Sequence, residues 1–255
     1  MSRNEPGIAG EALAGEGARS AVLLTGSRAW RRESLVFLVY YVVYVAYLFV
    51  WPETESLHWV SLVVLPFLIV VFLGSRSGSA SLRDALASVG LRRGNLRKGL
   101  VLAAVVGIAL GTLALWAQEG FGAVRAMAAS GKLFWFLPFA IVLMLVTAAS
   151  TEEFFFRGVL QTRLTRWWGR SLPAVFATAI LFGLYHVPYA YLEAGWSSHG
   201  HFAAAVSSGL TEGGIFGLIY GFIYARSRGN LLASILTHAL FNAISGLVWL
   251  HVWGL

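Results

Sequence analysis

A chain of 255 residues with 58% hydrophobic and only 12% charged residues, at a mean hydropathy of +0.71, lies outside the composition of soluble domains, in which about a quarter of residues are charged. The expected class is a polytopic membrane protein. The absence of cysteine excludes disulfides, thiolate metal sites and cysteine nucleophiles, and the formal charge of +7 is divided among short segments beside apolar runs, a pattern of membrane topology and not of nucleic-acid binding.

In chain order, residues 1–20 are rich in Gly, Ala and Glu without a core pattern, and the run Ala21–Leu24 is too short for a signal-peptide core. A flexible cytoplasmic tail is expected over 1–30. Spanning a hydrocarbon core about 30 Å thick takes around 20 apolar helical residues. Seven segments approach that length: 34–51, 57–73, 99–117, 133–156, 171–188, 203–225 and 230–250, the second and fifth being the shortest. The fold class read from them is an all-α membrane helix bundle of seven spans, or eight if one is missed. An N-terminal set of helices over 31–132 precedes a core over 133–250.

Between the second and third spans, Gly74–Lys98 is rich in Ser, Gly and Arg and ends in Arg92-Arg93-Gly94-Asn95-Leu96-Arg97-Lys98, which reads as an inner-leaflet anchor at about 1 kcal/mol per basic residue. With the N-terminus inside, the inner segments hold 17 of the 19 Lys and Arg, leaving Arg125 and Lys132 outside, so the C-terminus is expected outside. Trp30, Trp51, Trp59, Trp167, Trp168 and Trp249 sit near span ends and read as interfacial anchors. In the sixth span, Gly213, Gly217 and Gly221 recur every four residues and offer a smooth face for helix packing.

Three polar clusters interrupt the apolar spans: Glu152-Glu153-Phe-Phe-Phe-Arg157, Phe182-x-x-x-His186 and His238-x-x-x-Asn242. Each ionisable group costs roughly 2.5–3.5 kcal/mol at the centre of a spanning helix, which makes three such clusters hard to explain as packing. On a helix Glu153 and Arg157 lie about 40° apart while Glu152 is about 140° from Arg157, so the arginine pairs with Glu153 and Glu152 is the candidate general base. His186 and His238, with Asn242 one turn on, face a shared polar pocket in this reading. An acid, two imidazoles and an amide suffice for water activation and oxyanion stabilisation without a metal, which points to hydrolysis of an acyl bond. Depths counted from the inner helix ends agree only loosely and leave open whether the clusters meet.

The three motifs, in this order, resemble the CPBP (ABI) family of intramembrane proteases, which includes the CAAX prenyl endopeptidases and bacterial relatives linked with bacteriocin processing and self-immunity. Arg157-Gly158-Val159-Leu160-Gln161 and the stretch Gly217 to Leu231 before His238 share the resemblance, which covers roughly 133–250. It implies an endopeptidase in which Glu152 activates water, His186 positions it, His238 and Asn242 stabilise the oxyanion, and Glu153 with Arg157 orients the site. Members are commonly described with eight spans, one more than counted here. The implied partners are a membrane-associated peptide or protein substrate and the bilayer, with no nucleic acid, and the implied location is a bacterial plasma membrane.

Three other readings remain open. Glu152, His186 and His238 are ligand types that zinc accepts, although His-Glu-x-x-His is absent. Intramembrane acids and histidines also mark ion-coupled transporters. A non-catalytic member would act as an immunity or scaffold protein by binding. His58, His199, His201 and His251 are expected to be solvated or interfacial, and Glu193 and Trp196 are left outside the site.

Overall fold

The computed structural model describes residues 8–52, 55–76, 81–91 and 96–248; Arg92 to Asn95, Trp249 and His251 lie outside them, as does the start of the expected tail. Among the described residues the chain is all helix, as its composition requires. It is an integral membrane protein by this fold, with α1 (Ile8–Val50), α2 (Trp59–Gly74), α3 (Leu82–Ser88), α4 (Leu96–Ala117), α5 (Phe121–Ala129), α6 (Leu133–Trp168), α7 (Ser171–Leu192), α8 (Phe202–Arg226) and α9 (Leu231–Ser245).

Every expected span has its helix. The apolar part of α1 (Arg28–Val50), α4, α6, α7 and α8 are long enough to cross a bilayer, whereas α2 and α9 are shorter apolar helices. The fourth span runs to Trp168 instead of residue 156, because polar residues after Glu152 are buried in protein and need no water. Two arginines counted with the inner connection, Arg157 and Arg163, are therefore buried inside α6. Arg163 pairs with Glu33 of α1 at 3.3 Å, and Tyr41 donates to the Leu181 carbonyl at 2.7 Å, so α1 is pinned to both α6 and α7.

In α6 the stretch Phe154–Gln161 is wholly buried, with Phe154, Phe155 and Phe156 in the central cluster beside Phe37, Tyr41, Phe182 and Tyr185. This stretch is π-helical, a widening that recurs at functional sites. It follows a break at Thr147 (φ −94°, ψ −105°), and Thr162 Oγ1 donates at 3.0 Å to the Arg157 carbonyl five residues back.

Glycine seams set the neighbouring helices. A Cβ at Gly217 would lie 3.0 Å from Ala179 Cα, and one at Gly183 would lie 2.7 Å from the Gly209 carbonyl oxygen, so the α8 stripe read from its spacing is a packing face against α7. The same four-residue spacing in α4, through Gly99, Ala103, Gly107 and Gly111, is buried against α9. This second stripe was equally legible and is passed over in the sequence reading.

The connection after α2 does more than anchor. Val89 is fully buried in the central cluster, and the Gly90 carbonyl accepts a bond at 3.0 Å from the Leu231 amide, capping the start of α9. Gly90 has φ +86°, and a Cβ there would lie 2.7 Å from the Gly229 carbonyl oxygen, so the close approach requires glycine. The start of α9 is thus sunk in the protein, with Asn230 and Leu231 both 1% exposed. A short helix can then still bring its middle to the depth of the site.

Candidate active site

Glu152 and Glu153 end the α-helical turn before the π segment of α6, and both are buried. Arg157, fully buried, donates from Nη1 to Glu153 Oε1 at 2.9 Å, the pair expected from helix geometry. Its Nη2 donates to the Gly217 carbonyl of α8 at 2.8 Å, and its guanidinium lies 4.4 Å from the Phe182 ring centroid. A planar fork meets both directions at once, which a lysine ammonium on a single stem does not match.

The third motif closes on the first. His238, 4% exposed, has Nδ1 at 3.0 Å from Glu153 Oε1, the same oxygen that accepts from Arg157, and Nε2 at 4.0 Å from Glu152 Oε2. A carboxylate accepts, so Nδ1 carries a proton, and Nε2 is the nitrogen directed at Glu152. The loose agreement of helix depths is therefore resolved in favour of contact, through the sunken start of α9.

His186 joins less directly. Its Nδ1 donates to the Phe182 carbonyl at 2.8 Å, which leaves Nε2 as the ring nitrogen that this bond does not engage. The Phe182 ring bridges the two imidazoles, with centroids 4.7 Å from His186 and 6.2 Å from His238. Gly213 lies against His186: a Cβ there would be 3.0 Å from Nδ1. Asn242 stands one turn beyond His238 and is half-buried.

Sequence reading misses two contributors. Tyr220, 1% exposed, stacks on His238 with centroids 4.5 Å apart and planes 18° apart, and also lies 5.4 Å from the Arg157 guanidinium. Its position beside the glycine seam was the available signal. Gln161, one turn after Arg157, repeats the arginine's clamp by donating at 3.0 Å to the Gly221 carbonyl. Arg157 and Gln161 together fix α6 to the α8 backbone at two successive turns.

Residues left outside the site behave as follows. His199 and His201 are exposed, as expected, and Trp196 Nε1 donates to Glu193 at 3.3 Å. His58 differs: it is half-buried and hydrogen-bonded to the Tyr189 hydroxyl at 3.0 Å, because α2 begins against α7. Among the described residues no group of three or more His, Asp or Glu side chains gathers as a metal site.

No curated protein and no solved structure matches the chain significantly. Residues 134–244, which contain every side chain of the three motifs, match the family model described as Type II CAAX prenyl endopeptidase Rce1-like, the group that the motifs resemble.

Proposed function

We propose that the chain is a metal-independent glutamate-type endopeptidase that hydrolyses a peptide bond of a membrane-associated substrate, a C-terminal Cys-a-a-X peptide being the class to test first. The observation that carries this reading is the buried approach of Glu152 to His238 Nε2 at 4.0 Å, with the other ring nitrogen fixed on Glu153. That separation is too long for a direct hydrogen bond and suits one water held by both groups.

In the proposed reaction Glu152 takes a proton as the water oxygen attacks the scissile carbonyl carbon. The carbonyl oxygen gains the electron pair. Asn242 Nδ2 and His238 Nε2 donate to it, His238 entering the reaction as an imidazolium with a proton on each ring nitrogen and keeping both throughout. Collapse breaks the C–N bond, and the Glu152 carboxyl returns its proton to the leaving amine. His186, its Nδ1 committed to Phe182, accepts from the water through Nε2 and orients it. Glu153 and Arg157 hold His238 in place.

Glu152→Gln preserves shape and removes the base, so turnover of a prenylated peptide should fall by about 10²–10⁴-fold. His238→Ala or Asn242→Ala should cost about 10²–10³-fold in kcat. Unchanged turnover in any of them removes that residue's role. Exhaustive chelation should leave activity intact, and its loss with restoration by zinc would overturn the metal-free mechanism.

The basic bias further supports an N-terminus on the cytoplasmic side. Because the chain has no cysteine, single-cysteine variants label unambiguously. In intact cells an impermeant maleimide should modify Gln118→Cys and should reach Arg170→Cys only after permeabilisation; the reverse pattern would invert the topology.

A further inference from the structure

α8 is long enough to cross the bilayer and carries one ionisable residue before Arg226: Glu212, in a π-helical stretch over Gly209–Gly213. At 1.5 Å per residue it lies about 15 Å along the helix from Phe202 and about 21 Å from Arg226, too deep for the short stem of a glutamate to reach either end of the span. Glu212 is exposed, as are Ser207 and Thr211, and it accepts a hydrogen bond from Ser208 Oγ at 2.7 Å. One serine donor does not neutralise the charge. A carboxylate facing lipid at such a depth is costly, and groups of this kind turn instead to the bundle interior or to a wet cavity.

The turn that holds Glu212 borders the reacting groups on two sides. The next residue is Gly213, where an added Cβ would lie 3.0 Å from His186 Nδ1. One turn on, Phe216 packs on Phe241 of α9 with ring centroids 4.1 Å apart, and Tyr220 after it stacks on His238. Glu212, Phe216 and Tyr220 recur every four residues and so follow one side of α8, while Phe241 immediately precedes Asn242. The carboxylate therefore lies on the strip of α8 that leads from His238 and Asn242 toward the start of the helix. From Tyr220 to Glu212 is about 12 Å along the axis, the length of no more than about four residues of extended peptide.

We propose that this strip seats the peptide substrate beside the bond to be cut, and that Glu212 receives a cationic side chain, Lys or Arg, within about four residues of that bond. The inference rests on the endopeptidase reading and adds to it a charge class of substrate. An uncharged peptide laid on the strip would strip water from the carboxylate without pairing it, whereas a cation would pair with it, so selection comes from a penalty on the wrong peptide as well as from attraction to the right one. Glu212 selects substrate and takes no part in the proton transfers.

The test uses the purified full-length chain in detergent with prenylated Cys-a-a-X peptides of otherwise uncharged sequence, each carrying one Lys or one Glu at a position within about four residues of the cleaved bond. At the favoured position, kcat/KM of wild type should be about tenfold or more higher for the Lys peptide than for the Glu peptide. In E212Q that ratio should fall to within about twofold of unity, and in E212K it should invert, a result that a merely structural role does not produce. E119Q, which removes a carboxylate from the exposed turn after α4, should keep the wild-type ratio. A wild-type ratio near unity at every position, or a ratio unaltered in E212Q, overturns the proposal; where E212K does not fold, E212Q decides. Light scattering on the same samples covers the other occupant of an exposed helix face: a wild-type oligomer that dissociates in E212Q assigns the face to a second copy of the chain and likewise overturns the proposal. If wild type cuts none of the peptides, the endopeptidase reading fails by itself and the ratio is read from peptide binding by fluorescence anisotropy. A Lys preference that disappears in E212Q then sustains the charge site, and no preference overturns it.

Discussion

One oxygen atom joins two of the three motifs. Glu153 Oε1 accepts from Arg157 at 2.9 Å and faces His238 Nδ1 at 3.0 Å, so the orientation of the imidazole depends on the salt bridge one turn away. Tyr220 confines the same ring from its face. The two restraints are separable by substitution. Tyr220→Phe keeps the stacked surface and should retain turnover close to wild type. Tyr220→Leu removes an aromatic contact worth about 0.5–1.5 kcal/mol and should lower kcat by about 3–10-fold with KM unchanged. Steady-state kinetics on one peptide substrate checks both, and a rise in KM alone would show that Tyr220 contacts substrate instead. The Glu153–Arg157 pair was legible from helical spacing because both partners are local. Tyr220 was not, because its partner is brought by another helix.

Among elements, α9 carries His238 and Asn242 and is placed chiefly by α4, which contributes nothing chemical. The seam between them leaves no room for a side chain at Gly107, where a Cβ would lie 2.8 Å from the Thr237 carbonyl oxygen and 2.9 Å from Leu240 Cβ. Gly107→Val should push α9 outward, lower the thermal midpoint in detergent, and reduce turnover about tenfold or more, in line with the cost of about 1 Å of misplacement. Gly122→Ala is the matched control, since a Cβ there meets nothing within 4 Å. Wild-type stability in Gly107→Val would refute the placement of α9. Helix identity was legible in this chain because long apolar runs have few alternatives. The π turns of α6 were not, because they depend on how Thr162, the Arg157 carbonyl and the α8 backbone settle together.

For the molecule as a whole, composition sufficed for the membrane class, and apolar run length for the seven helices, five of which are long enough to cross a bilayer. The convergence of the clusters needed a contact far apart in sequence, from Gly90 to Leu231, that no local pattern encodes. That contact bears on how the chain can be divided. The family-matching stretch 134–244 lacks both Gly90 and α4, two of the supports of α9, so it is expected not to be a separable unit even though it holds every proposed reacting group. Expressed alone, 134–255 should be inactive and should label at Leu231→Cys, which is buried in the intact chain. Co-expression with 1–133 should restore turnover and protect that position, as two fragments mend a broken bundle when the seam between them carries the fold.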